Sequence, residues 1–265
     1  MDVAVVGAAG FLGTYLVTGL LSEGYKTTAV YNRSAVTNTV ESLHVDNFKQ
    51  KHNQFDSIFI SLGNYSCSHQ ELIKINNLIE EILRINERAK IIFISSSNVY
   101  GNHDEQIHPK SSYNNPGLYA MSKLAGEFLV SSHPRFAILR LTYLYGKNLN
   151  NNSFLPNLIK SSVHENKIRI FGNGSRKQDY LHVNDAVQLC IKAMVSEENG
   201  IFIGASGNST SNQEVASIVS YYHGSEIIFE GEEAGVSFSF NIEETKSLLN
   251  WSPKVNIHNG ILSML

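Results

Sequence analysis

The first 145 residues alternate short apolar segments with longer amphipathic ones, and this alternation limits the possible folds more than any other feature. The apolar segments are rich in β-branched and aromatic residues: VAVV (3–6), TTAVY (27–31), SIFIS (57–61), KIIFIS (90–95) and FAILRL (136–141). Segments of this kind are typical of buried parallel strands. With helices between them, they predict an α/β fold built on a doubly wound parallel sheet.

Three helical segments lie between these strands, at residues 11–23, 71–87 and 118–130. The third reads LYAMSKLAGEFLV, and its apolar residues recur at steps of three and four. They form one apolar stripe along the helix. Its members are Leu118, Met121, Leu124, Ala125, Phe128 and Leu129.

Composition and charge narrow the classes of partner and location. The formal net charge of −3 gives no reason to expect a nucleic acid or a membrane surface as partner. No apolar run approaches the roughly 18 residues of a membrane span, and the strand pattern begins at once, so we expect a cytoplasmic protein without a secretory signal. Cys67 and Cys190 lie in apolar stretches, which predicts reduced core thiols. The histidines lack metal-ligand spacing, so we expect no metal site.

A glycine-rich loop joins the first predicted strand to the first helix. Gly7, Gly10 and Gly13 form G-x-x-G-x-x-G. Glycine lets the backbone approach a pyrophosphate, and the helix N-terminus beyond offers free N–H groups and about half a positive charge. Three glycines also suit an ordinary turn, but the strand before them and the helix after them are the context that dinucleotide binding requires. The loop therefore predicts a Rossmann-type sheet that binds a dinucleotide.

The end of the second strand bears on the choice of cofactor. A carboxylate there would bind the ribose 2′-hydroxyl and favour NAD, but Asn32, Arg33 and Ser34 stand in its place. Arg33 is suited to a 2′-phosphate, so we expect NADP, with NAD as the alternative and a solvated arginine as the competing interpretation. Asp46 is a candidate contact for the adenine amino group, or it simply starts a loop.

The sequence changes in character after Gly146, where polar KNLNNNSF is followed by shorter, mixed elements. We expect a dinucleotide-binding domain at 1–146 and a smaller mixed α/β C-terminal substrate lobe at 147–265. Segments at about 178–205 are expected to return and pack on the first domain. Ser211 and Glu214 have capping-box spacing, which predicts the start of a helix.

Tyr119 stands four residues before Lys123 on the third predicted helix, where residues four apart share a face. Tyr143 and Lys147 repeat this spacing, but at a strand end. Upstream of the first pair, ISSSNVYG (94–101) runs from a strand into serines at the carboxyl edge of the sheet, where doubly wound folds bind ligands. The context therefore favours the first pair.

A phenol that titrates near pH 7 instead of pH 10 needs about 4 kcal/mol of stabilisation of its anion. A lysine about 5 Å away supplies roughly 3 kcal/mol, and we expect a bound oxidised nicotinamide to supply the rest. These magnitudes predict hydride exchange at a carbinol or ketone carbon. Ser96 would hold the reacting oxygen and Tyr119 would move the proton.

The chain resembles the extended short-chain dehydrogenase/reductases, in particular the nucleotide-sugar epimerase, dehydratase and reductase group. The resemblance covers nearly the whole length and rests on the glycine loop, SSSNVYG (95–101), YAMSKLAGE (119–127), LRLTYLYG (139–146), GNGSRKQDYLHVND (172–185) and EETKSLLNWSP (243–253). It implies that Ser96, Tyr119 and Lys123 are catalytic. It also implies a homodimer formed through the helices around 71–87 and 118–131. The expected dinucleotide contacts are Gly7, Gly10, Phe11, Leu12, Gly13, Asn32, Arg33, Ser34, Asp46, Leu62, Gly63, Tyr119 and Lys123.

Departures from the family pattern narrow the range of reactions that we expect. Ser96, Ser97 and Asn98 stand where the family's dehydratases have Thr-Asp-Glu, so dehydration is disfavoured. Gln178 occupies a position where many members carry a diphosphate-binding arginine. Arg176, two residues earlier, either substitutes for that arginine or is an exposed loop residue. The expected substrate contacts are Ser96, Asn98, Tyr143, Arg176 and Gln178.

Three functions stay open on the sequence. The first is an NADP(H)-dependent reductase of a nucleotide-activated 4-keto-6-deoxyhexose, because the compact C-terminal lobe and Tyr143 resemble the corresponding features of such reductases. The second is an NAD-dependent nucleotide-sugar 4-epimerase that uses the same residues. The third is a non-catalytic Rossmann protein that senses redox state or binds a partner, although such proteins often lose the tyrosine that this chain retains.

Overall fold

The computed structural model describes residues 1–33 and 40–265, and its strands confirm the predicted parallel sheet. The strands are β1 Asp2–Val6, β2 Lys26–Tyr31, β3 Glu41–His44, β4 Ser57–Ile60, β5 Lys90–Ser96, β6 Phe136–Leu141, β7 Tyr143–Tyr145, β8 Lys167–Phe171, β9 Lys177–His182, β10 Gly200–Gly204, β11 Ser209–Ser211 and β12 Glu226–Glu230. Among the described residues the main sheet has seven parallel strands in the order β10-β6-β5-β4-β1-β2-β3.

The helices cover both faces of this sheet. They are α1 Phe11–Ser22, α2 Val45–Phe48, α3 His69–Ile85, α4 Leu118–Val130, α5 Phe154–Glu165, α6 Val183–Val195, α7 Asn212–His223, α8 Glu243–Leu249 and α9 Ile257–Leu262. Helix α1 packs beside α6, and α3 packs beside α4. Val3 and Val5 of β1 join the core with α1 and α6, whereas Ala4 and Val6 join the core with α3 and α4. Because successive side chains of a strand point to opposite faces, the central strands are apolar at every position.

The second half of the chain contributes to the main sheet and also builds a separate layer. Strand β10 extends the sheet beside β6. Strands β7 and β11 flank β9 in a second sheet, and β12 pairs with β8. A third core cluster lies under these strands, between α5 and α7, and includes Leu158, Ile168 and Val215. The division into domains at residue 146 stays a prediction.

Several local predictions can be compared with the structure. The capping box at the start of α7 is confirmed, since Ser211 accepts from the Glu214 N–H and the Glu214 carboxylate accepts from Ser211 N–H. The prediction of a core thiol holds for Cys190, which is buried, but is wrong for Cys67, which is exposed in the loop after β4. No helix in the described part of the chain is long and apolar enough to span a membrane.

The apolar stripe of α4 is divided between core and solvent, and its Leu124 and Leu129 are partly buried against the core. Leu118, Met121 and Phe128 are exposed, and the opposite face of the helix is buried. That buried face carries Lys123 and Glu127, at 5% exposure each. Polar groups are rarely buried at this level unless they are paired or functional, so the inner face of α4 is where the candidate site begins.

Candidate active site

The glycine loop lies at the carboxyl edge of the sheet, between β1 and α1. Gly7 has a φ of +86°, and a Cβ at this position would lie 2.3 Å from the carbonyl oxygen of Ser61. A Cβ on Gly13 would lie 2.3 Å from the carbonyl oxygen of Gly7. Both positions therefore require glycine, because any side chain would collide with backbone that cannot move away.

The N-terminus of α1 suits an anion. Gly10 is its N-cap, and within the described residues no side chain caps the helix end. The first turn carries no acidic residue, so its positive end is not neutralised locally. Close backbone approach at Gly7 and an uncapped helix end fit the pyrophosphate of a dinucleotide. Phe11 and Leu12 form the first turn of this helix, as a dinucleotide contact requires.

The remaining expected cofactor residues follow the ends of β2, β3 and β4. Asn32 and Arg33 come directly after β2 and are exposed. Asp46 is exposed in the first turn of α2, and its N–H donates to Nδ1 of His44. Leu62 and Gly63 lie just beyond β4 and are half-buried. Ser34 lies outside the described residues.

Lys123 ties α4 to two strand ends. Its ammonium donates to the carbonyl of Leu62, after β4, at 2.5 Å, and to the carbonyl of Ile94, in β5, at 2.7 Å. Ile94 lies two residues before Ser96, the last residue of β5. The face of α4 that carries Tyr119 and Lys123 is thus held at the carboxyl edge, and β4 is the direct neighbour of β1, from which the glycine loop emerges.

The electrostatics of the Tyr119–Lys123 pair differ from the sequence-based expectation. The Lys123 ammonium lies 5.8 Å from the centroid of the Tyr119 ring. Burial lowers the pKa of Lys123 to about 8. The pKa of Tyr119 is raised, first by burial and then by Tyr65, and Lys123 is not among the causes. The protein's own groups therefore do not lower the pKa of the phenol. The expected lowering has to come from a bound nicotinamide and stays a prediction.

Ser96 stands at the junction between β5 and a 3₁₀ turn, Ser97–Tyr100. Its hydroxyl accepts from the backbone N–H of Asn98 at 3.2 Å and is half-buried. Asn98 itself is exposed. The hydroxyl keeps its proton available for an incoming oxygen, because the serine oxygen acts here as an acceptor.

A buried ion pair connects α4 to the strands at the carboxyl edge of the sheet. The Arg140 guanidinium donates to the Glu127 carboxylate at 3.0 and 2.6 Å, and Ser95 donates to the same carboxylate. Arg140 also donates to the Tyr113 hydroxyl at 2.6 Å. The pair joins α4 to β6 and to the residue before Ser96. Sequence reasoning missed it, although Glu127 lies four residues after Lys123, a spacing that puts both on one helix face.

The structure brings together three of the five expected substrate residues. Tyr143, Arg176 and Gln178 line one cavity of about 280 Å³. Gln178 is 4% exposed and its amide N–H donates to the carbonyl of Val236 at 3.2 Å. Arg176 donates to the same carbonyl at 3.1 Å and also lines a neighbouring cavity of about 400 Å³. Ser96 and Asn98 do not line either cavity.

A tyrosine that the sequence did not single out lies against Tyr119. The ring of Tyr65, in the loop after β4, stacks on the Tyr119 ring with centroids 5.3 Å apart and planes 19° apart. No spacing or motif pointed to this residue. Its proximity arises because β4 and β5 are neighbours in the sheet, while α4 returns to the same edge about 50 residues later.

Comparisons with known proteins identify the family of the chain. The model of the NAD dependent epimerase/dehydratase family matches residues 3–203. A putative UDP-glucose 4-epimerase of Methanocaldococcus jannaschii is 26% identical, over 98% of this chain and 95% of that protein. UDP-glucuronic acid decarboxylase 1 of Arabidopsis thaliana is 23% identical, over 100% of this chain and 69% of that protein.

Solved structures support the fold. The structure of MoeE5 in complex with UDP-glucose and NAD superposes with a TM-score of 0.86 at 22% identity, over 100% of this chain and 97% of that one. UDP-N-acetylglucosamine 4-epimerase from Bacillus cereus gives a TM-score of 0.87 at 22% identity, over 98% and 94%. At this level of identity the likeness establishes the Rossmann-type architecture.

Proposed function

The chain belongs to the NAD-dependent epimerase/dehydratase family, and from this premise we propose that it is a nucleotide-sugar 4-epimerase with a bound NAD. The relatives that match along nearly their whole length include a putative UDP-glucose 4-epimerase and a UDP-glucuronate 4-epimerase. A UDP-hexose is therefore the first substrate to test. Dehydration is disfavoured, because Ser97 and Asn98 replace the acidic pair that family dehydratases carry.

One observation carries the proposal: Lys123 bonds to the carbonyls of Leu62 and Ile94. These bonds hold the first turns of α4 at the carboxyl ends of β4 and β5, next to the strand that leads into the glycine loop. A dinucleotide whose pyrophosphate lies on Gly7–Gly13 would extend its nicotinamide toward this edge. The phenol of Tyr119 and the hydroxyl of Ser96 then flank a sugar carbon that faces the ring.

NAD, when bound, would supply a hydride acceptor for the sugar carbon, and the hydride would be returned to the opposite face of the ketone. The residues of this chain handle the proton. Ser96 orients the sugar hydroxyl, and Tyr119 removes the proton as the carbonyl forms and gives it back afterwards. Lys123 supplies a nearby positive charge. Arg176 and Gln178 are proposed to hold the nucleotide-bearing end of the substrate in the cavity that they line with Tyr143.

A second candidate is the NADPH-dependent reductase of a nucleotide-activated 4-keto-6-deoxyhexose. Arg33 supports it, since this exposed arginine directly follows β2 at the place where a carboxylate would favour NAD. The same serine, tyrosine and lysine would serve, with Tyr119 as the proton donor to the keto oxygen. The two candidates differ in whether the cofactor is consumed.

The test uses purified protein, a panel of UDP-, dTDP-, GDP- and CDP-sugars, and both cofactors. An epimerase converts its substrate without added cofactor and without net change in reduced nicotinamide, and denaturation releases NAD. A reductase consumes added NADPH in a one-to-one ratio with substrate. If neither reaction occurs with any sugar, the catalytic proposal fails and a non-catalytic Rossmann protein becomes the better interpretation.

The Tyr119→Phe variant connects activity to the site. We expect its kcat to fall by roughly two to four orders of magnitude, the usual contribution of general acid–base catalysis. Lys147→Met, at the other Tyr-Lys spacing, is the matched control and should retain activity. A Tyr119→Phe variant that keeps full activity would contradict the assignment.

We also propose a homodimer formed through α3 and α4. These helices pack side by side and leave large apolar side chains in solvent. Ile73 is 59% exposed, Leu118 72%, Met121 53% and Phe128 78%. Apolar side chains grouped on one surface favour association, since pairing two such surfaces removes them from water.

A further inference from the structure

The loop between β4 and α3 is held by its own hydrogen bonds. Asn64 is 3% exposed, and its amide N–H donates to the carbonyl of Ser68 at 3.0 Å. The Asn64 side-chain oxygen accepts from the Ser66 hydroxyl at 3.1 Å, and its carbonyl accepts from the Cys67 N–H at 3.2 Å. Ser68 then caps α3. Tyr65 thus projects from a loop that is braced on both sides of it.

These hydrogen bonds hold the loop in a conformation in which the Tyr65 side chain points toward Tyr119. The residue is 82% exposed, so one side of its ring stacks on Tyr119 while most of its surface stays in contact with solvent. A Cβ on Gly63 would lie 2.9 Å from the Tyr65 ring, so glycine at 63 leaves room for this path.

We propose that Tyr65 is a positioning residue for the oxidoreduction assigned above, and that its ring holds the Tyr119 phenol in the orientation needed for proton transfer. The inference rests on the proposed function. Tyr65 acts through Tyr119, which is the group that exchanges the proton. Because proton transfer and hydride transfer need the reacting atoms in one narrow arrangement, a small loss of order at the phenol lowers the rate strongly.

The titratable groups around Tyr119 provide a measurement, the pKa of Tyr119, that a purely packing role of Tyr65 would not change. Three titratable groups face the phenol: Tyr65 and Cys67 from the loop, and Lys123 from its own helix. Burial is the largest cause of the raised pKa of Tyr119, and Tyr65 is the next. A negative charge on Tyr65 raises the pKa of Tyr119, so at alkaline pH the Tyr119 phenol should lose its proton more readily once the Tyr65 hydroxyl is removed.

The experiment compares Tyr65→Phe, which keeps the ring, with Tyr65→Ala, which removes it. Tyr221→Ala is the matched control, since Tyr221 is 79% exposed and makes an edge-to-face contact with Tyr222 in α7. For Tyr65→Ala we expect kcat to fall by about tenfold or more with KM little changed. Tyr65→Phe should retain most of kcat. The control should change neither kcat nor KM.

A second readout does not depend on turnover. The phenolate absorbance of wild type and of Tyr65→Phe is titrated, and the titration of the matching Tyr119→Phe variant is subtracted from each. We expect the remaining phenol to ionise at lower pH in Tyr65→Phe. Unchanged kcat in Tyr65→Ala together with unchanged titration would overturn the proposal. If no nucleotide sugar is converted by the wild type, the proposed function fails, while the titration still decides whether Tyr65 acts on Tyr119.

Discussion

At the level of single residues, the site depends on polar groups that the fold has removed from water. Lys123 is 5% exposed and gives its hydrogen bonds to two backbone carbonyls, and the Glu127 carboxylate partly offsets the effect of burial on its charge. Burial lowers its pKa to about 8. A buried cation with a strongly perturbed pKa beside a phenol is a common property of catalytic sites.

Asp179, on β9, is a second buried group, and its titration should be measurable in the stability of the protein. It is 1% exposed; one carboxylate oxygen accepts from Ser206 N–H at 2.7 Å and from the Thr142 hydroxyl at 3.2 Å. Among the described residues the other oxygen has no hydrogen-bond partner. Burial raises the pKa of Asp179 from 3.8 to about 6.

A raised carboxyl pKa means that the unfolded chain loses this proton at lower pH than the folded one does. The contribution of Asp179 to the free energy of unfolding is therefore highest below about pH 4 and falls by about 3 kcal/mol as the pH rises to about 6. Urea unfolding of wild type and Asp179→Asn over this range measures it. We expect the wild type to lose stability relative to the variant as the pH rises. A difference that is independent of pH would contradict the prediction.

At the level of elements, α4 has two faces with different roles. The inner face carries Lys123 and Glu127 against the strand ends, and the outer face presents Leu118, Met121 and Phe128 to solvent. Its apolar residues are therefore found on both faces, since Leu124 and Leu129 pack against the core. Helix α1 differs in that its N-terminus has no side-chain cap and is approached closely by the backbone at Gly7 and Gly13.

The outer face of α4 predicts the oligomeric state. If two chains associate through α3 and α4, Phe128→Glu places two buried charges at the interface and should convert the dimer to a monomer. Light scattering after size exclusion gives the mass directly. Tyr221→Glu, an equally exposed aromatic position on α7, is the control and should leave the mass unchanged. A monomeric wild type would rule out the dimer proposed here.

The glycine loop predicts a difference between two glycines of similar backbone conformation. Gly7 has φ +86° and its Cβ would collide with Ser61, whereas Gly24 has φ +81° and no atom lies within 4 Å of its Cβ. Gly24→Ala measures the conformational strain alone, at roughly 1 kcal/mol. Gly7→Ala adds the collision and should abolish the rise in melting temperature caused by NAD. Equal stabilisation of both variants by NAD would show that the loop does not hold the cofactor.

At the level of the whole molecule, the two halves of the chain share one core. Leu16 of α1, Leu189 of α6 and Trp251 near the C-terminus belong to the same buried cluster. The Trp251 ring N–H donates to the carbonyl of Asp185 at 3.1 Å, and the Ile203 N–H donates to the Thr245 hydroxyl at 3.1 Å. Residues after 180 thus cover one face of the sheet that the first half forms.

This shared core predicts that residues 1–146 do not fold alone. Without α6 and β10, the apolar residues of α1 and the outer edge of β6 would face water. We expect the fragment 1–146 to lack a cooperative thermal transition by near-ultraviolet circular dichroism, with the full chain as control in the same buffer. A cooperative transition in the fragment would instead support an independent domain ending at 146.

The sequence by itself determined the parallel sheet, the first helices and the glycine loop. Each of these is a local pattern, such as FAILRL for a buried strand or G-x-x-G before a helix, and its physical cause acts within a few residues. The Tyr119–Lys123 spacing likewise fixes a shared helix face. Only the position of the Tyr119–Lys123 pair at the carboxyl edge of the sheet depended on the rest of the fold.

The tertiary structure decided which faces are buried and which distant residues meet. It placed Tyr65 on Tyr119, paired Glu127 with Arg140, and exposed Cys67 together with part of the apolar stripe of α4. None of these follows from spacing, because each depends on the order of strands in the sheet, which brings β4, β5 and α4 to one edge. Burial then set the pKa values of Lys123 and Tyr119, and burial depends on all the segments that pack around a group.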